Sequence, residues 1–490
     1  MHQRSDAPRI DSSPLELLLG DVARLSDDAR ARLFGRRLQG DKGDKGDKGD
    51  KGDEGDAGVT ARVSAILARV RREGDAALLA MARELDGVTL DALEVPRARW
   101  RRALDGLDRD LVRAMERSRD NVERVHRALL PAVVEIEPEP GILVGRRADP
   151  LPRVGVYAPG GRAAYPSSVL MGVVPARVAG VGEIILCTPP DRSGAPSAVV
   201  LAAAELAGAD RAFAVGGAGA IAAMAYGTAS VPRVERIVGP GNAYVAEAKL
   251  QVAGIVGIDS PAGPSELLAI WDGSVDVDTV ARELVAQAEH DPLACAVAVV
   301  VGEEEDSAGG DDRHLVHRIA ALRDALGAEC SGQPRGEIIR QALAARGAIL
   351  TAGSLGEALA FANEYAAEHL LLAVREPERV LARVRNAGTV FLGATSSVAF
   401  GDYMTGANHV LPTGGRARAY SGLSTLDFMR WTTYQRVSPA AAARLAPDVA
   451  AFATAEGLPG HAAAARGAAG MPVRLPMPDR EPGGIQGVGR

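Results

Sequence analysis

The chain has 490 residues, of which 47% are hydrophobic, and a net charge of −7 from 56 Lys and Arg against 63 Asp and Glu. This length allows about three domains with large cores, and the acidic balance excludes a basic field that recruits nucleic acid. Three cysteines without CxxC spacing exclude a disulfide framework and a thiolate zinc site. We expect a cytoplasmic protein, because the N-terminus lacks a signal-peptide core and no run reaches the roughly 18 apolar residues of a membrane span.

The first part of the chain is predicted to be helical, with one low-complexity insert. Residues 14–37 are predicted to form one or two short amphipathic helices. Residues 40–58 read GDKGDKGDKGDKGDEGDAG, a three-residue glycine period similar to collagen, but without proline and too short for an independent triple helix. This polar composition predicts a disordered linker without a catalytic role. Helical patterns resume at Val59 and continue to about Leu130.

From Pro152 the pattern changes to short apolar runs that alternate with alanine-rich helical stretches. VGVYAP, EIILCTPP, RAFAVGG and RIVGPGN form one set, and CAVAVVVG, GAILTAG, LLLAV and GTVFLG form another. This alternation predicts βαβ units with parallel sheets covered on both faces, in two α/β domains of which one is split in sequence by the other. The tail after about Ser424 is predicted to be helical to about Ala469, with a frayed end.

These patterns predict five segments. They are an N-terminal helical arm at 1–39, the linker at 40–58, a first α/β domain at 59–150 plus 271–423, a second α/β domain at 151–270, and a C-terminal helical arm with a frayed tail at 424–490.

Three glycine turns, at 158–161, 216–219 and 239–242, lie where strands should end. Ligands of open α/β sheets bind beyond the carboxyl ends of the strands. Gly217 to Ala222 reads G-x-G-x-x-A, which resembles a dinucleotide fingerprint, but Glu235 precedes the next strand and is poorly placed for a ribose. The alternative is that each glycine is present only because its backbone adopts a positive φ. Three such turns at successive strand ends favour a phosphate-bearing or nucleotide-like ligand.

Polar groups suited to acid–base or metal chemistry recur later in the chain. Gln287 and His290 in QAEHD lie three apart, so on a helix they share a face and could give zinc an amide oxygen and an imidazole; a solvated helix end is the alternative. Glu368 and His369 precede an apolar run, so only a turn lets both address one site; a surface ion pair is the alternative. The remaining candidates lie in a Gly/Pro-rich loop and near the C-terminus: Asp402, Asn408, His409, Glu456 and His461.

The motifs VGVYAPGG, PSSVLMGVVPARVAGV, GGAGAIAAMAYGT, IVGPGNAYV, PAGPSELL, QAEHD, AAEHL, GDYMTGANHVLPT, SGLSTLDF and EGLPGHA occur in the order seen in histidinol dehydrogenases. From about Val59 to about Arg466 the chain resembles that family. The resemblance implies oxidation of L-histidinol through an aldehyde to L-histidine with two NAD+, in histidine biosynthesis. It also implies two incomplete Rossmann-like three-layer units with helical arms, in an intertwined homodimer. The first α/β domain would then carry the metal and catalytic residues, and the second would carry the residues that contact NAD.

The resemblance implies roles for individual residues. One Zn2+ per subunit would be held by Gln287, His290, Asp402 and His461. His369 would take the hydroxyl proton in the alcohol oxidation, and Glu368 would activate the water that attacks the aldehyde. The implied substrate contacts are Ser265, Gln287, His290, His369, Asp402, His409, Glu456 and His461, with His409 at the product carboxylate and with Glu456 and His461 supplied by the partner subunit's C-terminal arm.

Two positions and the segment SSVA at 396–399 depart from the family pattern, and none of these changes removes a catalytic group or a metal ligand. Tyr157 and Asn242 match NAD contacts, but the third contact, usually a glutamine, is Gly219 here. The change removes an amide hydrogen bond worth about 1 kcal/mol, or lets the backbone approach NAD more closely. Ala367 stands where the family usually has proline, which loosens the turn that presents Glu368.

Three other functions are compatible with parts of this pattern. A sister NAD-dependent dehydrogenase could act on another small polar alcohol, such as a sulfonated propanediol, although Glu456 and His461 favour histidinol. A zinc hydrolase could use Glu368 on metal-bound water, but the Tyr157 and Asn242 turns argue against it. The third alternative is a non-catalytic scaffold that displays the glycine repeat. Such a protein would not need the acidic, basic and metal-ligating residues identified above, which argues against it. We therefore expect a small-molecule substrate and a second copy of the chain as partners, and neither nucleic acid nor a membrane.

Overall fold

The structure is a computed structural model that describes residues 15–36, 54–160, 164–302 and 313–472. These residues form two compact units. The larger unit comprises the described residues up to Leu130 together with Pro150–Phe428, and the smaller unit comprises Pro131–Asp149 and the described residues from Met429 onward.

The strands, in chain order, are β1 (Leu18–Asp21), β2 (Val134–Glu139), β3 (Ile142–Pro150), β4 (Arg153–Tyr157), β5 (Glu183–Thr188), β6 (Arg211–Ala214), β7 (Arg236–Val238), β8 (Gly257–Ile258), β9 (Glu266–Trp271), β10 (Cys295–Val301), β11 (Gly347–Ala352), β12 (His369–Ala373), β13 (Thr389–Leu392) and β14 (Met429–Val437). The helices are α1 (Asp27–Phe34), α2 (Glu54–Glu73), α3 (Asp75–Leu85), α4 (Arg97–Asp105), α5 (Arg109–Ala128), α6 (Pro166–Ala179), α7 (Ala198–Ala207), α8 (Gly217–Tyr226), α9 (Ala243–Val252), α10 (Val277–Ala288), α11 (Arg313–Cys330), α12 (Gly336–Arg346), α13 (Leu355–Tyr365), α14 (Pro377–Leu381), α15 (Val398–Tyr403), α16 (Pro439–Ala455) and α17 (Pro459–Ala468).

Two parallel sheets form the core of the larger unit. One has five strands in the order β6-β5-β4-β7-β8, and the other has six in the order β1-β11-β10-β9-β12-β13. Their central strands are almost continuously apolar and buried, as in β9 with its sequence ELLAIW, because helices cover both faces of a parallel sheet. The predicted α/β fold with parallel sheets is confirmed.

Helices α2 and α3 pack on the five-stranded sheet. Val63, Leu67 and Leu78 are buried in the same apolar cluster as Ile185 of β5 and Phe213 of β6. The prediction grouped these helices with the other α/β domain, because periodicity identifies an amphipathic helix but not the sheet that it covers. Residues from about Val59 to Leu93 therefore contribute to the core of the five-stranded sheet.

Two segments that were predicted to be helical contain strands. Leu18–Asp21 pairs with β11, with Leu18 opposite Ala348. Met429–Val437, with the sequence MRWTTYQRV, forms β14 beside β3, and its aromatic and β-branched residues favour extended backbone.

Most of the predicted linker lies outside the described residues, but α2 begins at Glu54, so the last five linker residues are helical. The predicted frayed tail also lies largely outside them.

The smaller unit combines a sheet of three strands, β14-β3-β2, with two helices. Strands β2 and β3 are antiparallel and are joined at Gly141, which has a φ of 84°. Helices α16 and α17 pack through the small residues Ala450, Ala453 and Ala462. Across the described ranges of both units, no helix is long and apolar enough to cross a membrane.

Candidate active site

A left-handed turn places Glu368 and His369 at the amino end of β12. Helix α13 ends at Tyr365, and Ala366 then adopts φ 52° and ψ 59°. Glu368 follows in the turn, and His369 is the first residue of β12. The Glu368 carboxylate accepts a hydrogen bond from the backbone N–H of Glu266 (2.8 Å), and His369 Nδ1 lies 3.0 Å from the carbonyl oxygen of Glu266. The two adjacent side chains therefore meet at one residue of β9.

Burial controls the proton affinity of Glu368, whose side chain is 6% exposed. Loss of solvation raises the pKa of Glu368 to about 8, against the lowering effect of hydrogen bonds from Ser265 and the Glu266 backbone. The Ser265 hydroxyl donates to this carboxylate at 2.6 Å. A carboxyl group that titrates near neutral pH can both take and return a proton in one reaction cycle.

His369 is held in one tautomer, with its other nitrogen free. Its Nδ1 must be the donor to Glu266, because a carbonyl oxygen only accepts. Its Nε2 is buried without a hydrogen-bond partner among the described residues, and the nearest carboxylate oxygen, Asp402 Oδ1, is 3.8 Å away. Burial lowers the pKa of His369, against the raising effect of Asp402. The neutral ring thus presents an Nε2 lone pair that can accept a proton.

Gln287 and His290 lie at the carboxyl end of α10. The Gln287 side chain is only 2% exposed, and neither Oε1 nor Nε2 has a partner in the part of the chain that the structure describes. Burying an amide without hydrogen-bond partners costs free energy, so this side chain is expected to have a further partner, such as a ligand. His290 follows the helix, is exposed, and turns Nδ1 to the carbonyl oxygens of Ala286 (3.1 Å) and Gln287 (3.2 Å). This arrangement leaves Nε2 of His290 open, as is usual for metal-binding histidines.

Helix α10 is tied to α15, the short helix that carries Asp402. The Glu283 carboxylate, one turn before Gln287, accepts a hydrogen bond from the backbone N–H of Val398 at 3.0 Å. His409 Nδ1 lies 2.8 Å from the carbonyl oxygen of Asp402. Burial lowers the pKa of His409, Asp402 raises it, and His369 and His290 lower it further. Asp402 thus lies beside both histidines, with its carboxylate 3.8 Å from His369 Nε2 and its carbonyl oxygen at His409 Nδ1.

The predicted metal ligands are therefore distributed over both units. Gln287, His290 and Asp402 belong to the larger unit, whereas His461 belongs to the smaller one, together with the predicted substrate contact Glu456; the side chains of His461 and Glu456 are exposed. Within the described ranges, no three His, Cys, Asp or Glu side chains are already grouped as a metal site. The predicted ligand set differs from such a group because one of its members is a glutamine amide.

The glycine turns lie at the carboxyl ends of the strands of the five-stranded sheet, where the helices α8 and α9 begin. Tyr157, the last residue of β4, is buried, and its hydroxyl accepts a hydrogen bond from the N–H of Gly217 at 3.1 Å. Burial raises the pKa of Tyr157 to about 12, so its hydroxyl stays protonated. The Asn242 side-chain oxygen caps α9 by accepting from the N–H groups of Tyr244 (3.1 Å) and Val245 (3.2 Å). This contact leaves the Asn242 NH2 group for a ligand.

A buried ion pair fixes the Gly239 turn. Gly239 has a φ of 118°, and a Cβ there would collide with the Tyr157 carbonyl oxygen, so only glycine fits. Its N–H donates to Asp259 (2.7 Å) and its carbonyl accepts from Lys249 (3.1 Å). Lys249 and Asp259 are both buried and form an ion pair with each other.

Gly219 lies inside α8 and faces α3. A Cβ at this position would lie 3.4 Å from both Leu78 Cδ2 and Met81 Sδ. The structure thus accounts for a small residue at position 219 through helix packing. A glutamine side chain there would have to displace Leu78 and Met81.

Sequence reasoning did not identify Glu266, Glu283, Lys249 or Asp259. Each is a buried charged residue whose side chain hydrogen-bonds to the backbone of a loop, a turn or the start of a helix at the site. An acidic residue at the head of an apolar strand, as in ELLAIW, is the signal that could have indicated Glu266.

Two parallel sheets, with glycine turns at one and a buried acid–base pair at the other, define an α/β enzyme whose chemistry includes proton transfer away from bulk water. Residues 50–467 match the sequence model of the family described as histidinol dehydrogenase. This match spans most of the chain, and the chain belongs to the histidinol dehydrogenase family. The predicted family is confirmed, and with it the predicted enzyme class, an oxidoreductase.

Individual relatives agree with the family match. The chain is 44% identical over 401 residues to histidinol dehydrogenase from Methanosarcina mazei, covering 82% of this chain and 89% of the relative. It is 46% identical over 407 residues to that of Bordetella parapertussis, covering 82% and 89%. The crystal structure of histidinol dehydrogenase from Elizabethkingia anophelis superposes with a TM-score of 0.81 at 30% identity, covering 93% of this chain and 98% of that one.

Two glycines of α8 should respond in opposite ways to the same substitution. Gly219→Ala should stabilise the protein by about 0.5–1 kcal/mol, because helical glycine costs entropy and the added methyl meets Leu78 and Met81 at van der Waals contact. Gly217→Ala should destabilise it by about 1–2 kcal/mol, because Gly217 has a φ of 58°. Urea unfolding of both variants checks this; a loss of stability in Gly219→Ala would contradict the packing account.

The raised pKa of Glu368 predicts a pH-dependent stability difference. The folded protein keeps the proton up to about pH 8, whereas the unfolded chain releases it near 4.5. The stabilising contribution of the protonated carboxyl is therefore complete below pH 4.5 and is lost as the pH rises toward 8. Because glutamine cannot ionise, Glu368→Gln should gain stability relative to the unmodified protein between pH 5 and 9, by an amount on the order of a few kcal/mol.

Urea unfolding in the presence of a chelator measures this difference without interference from metal. Glu378→Gln, on the exposed surface, is the matched control and should show no such trend. Parallel stability profiles for Glu368→Gln and the unmodified protein would contradict the assignment of a raised pKa.

Proposed function

We propose that this chain oxidises L-histidinol through its aldehyde to L-histidine, with two NAD+ as hydride acceptors and one zinc ion per subunit. The observation that carries the proposal is the buried Glu368–His369 pair on the Glu266 backbone, in a chain of the histidinol dehydrogenase family. An alcohol-to-acid oxidation needs one base for hydroxyl protons and another for water. His369 is a neutral imidazole here, and Glu368 is a carboxyl group with a pKa of about 8, so both can exchange a proton with the substrate or with water.

His369 serves the first oxidation. Its Nε2 is unpartnered within the described residues, and burial lowers its pKa, so the lone pair is free at neutral pH. His369 accepts the substrate hydroxyl proton while the hydride leaves the same carbon, and the aldehyde results. The Nδ1 hydrogen bond to Glu266 fixes the ring orientation and stabilises the imidazolium that forms.

Glu368 serves the second oxidation. Its carboxylate removes a proton from water as the water oxygen bonds to the aldehyde carbon, while the His369 imidazolium returns its proton to the carbonyl oxygen. The resulting hydrate is an alcohol that the neutral His369 can deprotonate again. A pKa of about 8 makes Glu368 a stronger base than an ordinary carboxylate. The hydrogen bonds from Ser265 and the Glu266 N–H hold the charged form in place.

The residues present fit a zinc site. The Gln287 amide, which has no partner among the described residues, and the open Nε2 of His290 are ligand atoms without another use, and Asp402 Oδ1 lies 3.8 Å from His369 Nε2. Imidazole, amide and carboxylate groups are ligands that zinc accepts. Gln287, His290 and Asp402 would hold the ion together with His461, and when bound it supplies a template for the imidazole and amine of the substrate.

The carboxyl edge of the five-stranded sheet fits NAD+. The turns at Tyr157, Gly217 and Gly239 follow β4, β6 and β7 of this sheet, and the N-termini of α8 and α9 offer partial positive charge for phosphate groups. Asn242 offers its NH2 group there. The packing of Gly219 against α3 leaves recognition to these turns and not to a side chain at position 219.

A homodimer would complete the site. Glu456 and His461 are exposed on the smaller unit and are therefore free to reach the partner subunit. We propose that the C-terminal arm of each subunit supplies these two residues to the other. His409, with Nδ1 on the Asp402 carbonyl oxygen, would contact the product carboxylate through Nε2.

The two members of the acid–base pair should fail at different stages. Glu368→Gln should yield about one NADH per L-histidinol and accumulate aldehyde, whereas His369→Ala should slow both oxidations by roughly 100- to 10,000-fold, because general-base catalysis has this magnitude. Single-turnover NADH absorbance together with trapping of the aldehyde measures both stages. Two NADH per L-histidinol at the normal rate in Glu368→Gln would contradict the role of Glu368. If the unmodified enzyme preferred a sulfonated propanediol to L-histidinol, the proposed substrate would be wrong.

Removal of zinc or of one ligand should have two separate effects. We expect about one zinc per subunit by elemental analysis, and Gln287→Met should weaken zinc binding at least about 10-fold. The metal-free variant should be as stable as the metal-free parent or more stable, because methionine removes two unpartnered polar atoms. Arg282→Gln, on the same helix and in a surface ion pair with Glu329, is the matched control. Full zinc retention in Gln287→Met would contradict its role as a ligand.

A further inference from the structure

Glu266 makes polar contacts with both its backbone and its side chain. The backbone N–H and carbonyl hold Glu368 and His369. On the side chain, one oxygen accepts from the N–H of Gly414 (2.7 Å) and the other pairs with Arg36 Nη1 (2.5 Å). The backbone position of Glu266 therefore determines where both members of the acid–base pair lie. The side-chain contacts determine the position of Glu266.

Arg36 reaches Glu266 from the segment after α1. Its side chain is 3% exposed, and its guanidinium lies 3.5 Å from the ring centroid of Tyr365 and donates to the Tyr365 carbonyl oxygen. Tyr365 ends α13, and the turn to Glu368 starts at Ala366. One side chain thus contacts both supports of the acid–base pair: Glu266 on β9 and the end of α13.

A buried ion pair of this kind is a poor source of stability. Removing two charges from water costs about as much as their attraction returns, and apolar replacements are often at least as stable. Burial raises the pKa of Glu266, and Arg36 opposes this effect. The planar guanidinium, however, contacts several groups at a fixed geometry, which an apolar side chain cannot do.

We propose that Arg36 is a positioning residue for the acid–base chemistry, acting through Glu266 and the Tyr365 carbonyl to hold Glu368 and His369 in register. A small displacement of Glu266 moves the donor of Glu368 and the acceptor of His369 together. Both oxidations depend on Arg36, although it lies outside the predicted catalytic domain and touches no reacting atom. The kinetic part of this inference rests on the proposed function.

The test compares Arg36→Gln and Arg36→Lys with Arg32→Gln. Arg32 lies on α1, close to Arg36, and also donates to backbone carbonyls, those of Ala344 and Ala345, but contacts nothing at the acid–base pair. Arg36→Gln should lower kcat for both oxidations by roughly 100-fold with KM within about twofold, because a small misplacement of catalytic groups has this effect. Arg36→Lys, which keeps the charge opposite Glu266, should recover about tenfold.

A second measurement does not require the substrate to be known. The chain has 8 histidines, so nitrogen-15 labelling of histidine alone gives a sparse spectrum, in which loss of one signal in His369→Gln assigns the Nδ1–H bonded to Glu266. In metal-free protein this signal should shift or broaden in Arg36→Gln and stay unchanged in Arg32→Gln. Both variants are compared below their melting temperatures, where each is folded.

Different results would overturn the proposed function and the proposed role of Arg36. An unmodified enzyme without NADH formation on L-histidinol would contradict the proposed function, and the histidine spectrum would still decide the role of Arg36. An unchanged Nδ1–H signal in Arg36→Gln overturns the positioning proposal. The same conclusion follows if Arg36→Gln raises KM at constant kcat, or if Arg32→Gln lowers kcat to the same extent.

Discussion

The hydrogen bonds from the Glu266 backbone hold together two side chains that a strand would otherwise point apart. A left-handed residue, Ala366, makes the turn that brings Glu368 beside His369. Non-glycine residues adopt this conformation at an energetic cost, which persists only where surrounding contacts compensate. Here those contacts are the Glu266 amide and carbonyl, the Ser265 hydroxyl and the buried Arg36, so the turn, the strand and the acid–base pair form one cooperative arrangement.

Burial gives the two groups their different chemistry. Removal from water disfavours the charged form of each, so it raises the pKa of Glu368 and lowers that of His369. Both shifts favour the uncharged forms of these two side chains at neutral pH. The general base that we propose for the first oxidation and the water-activating carboxylate that we propose for the second would thus share one environment.

The site uses opposite edges of the two sheets. Glu266 and His369 begin β9 and β12, at the amino edge of the six-stranded sheet, whereas the glycine turns follow the carboxyl ends of β4, β6 and β7. The short connection from β8 to β9 joins these edges, running from Asp259, which holds the Gly239 turn, to Ser265, which holds Glu368. The glycine turns and the acid–base pair are therefore linked by a few residues with buried polar anchors at both ends.

The sequence alone determined the family, the parallel α/β sheets and the set of candidate residues, because hydrophobic periodicity and motif order are local properties of the chain. It also indicated that Glu368 and His369 need a turn. Only the tertiary structure decided which sheet α2 and α3 cover, that Met429–Val437 is a strand, and that Gly219 faces Leu78 and Met81. It alone connected Arg36 to Glu266 across 230 positions. Such contacts depend on how distant segments pack. The role of a buried charge can therefore be inferred only when the partner that it contacts in the folded chain is known.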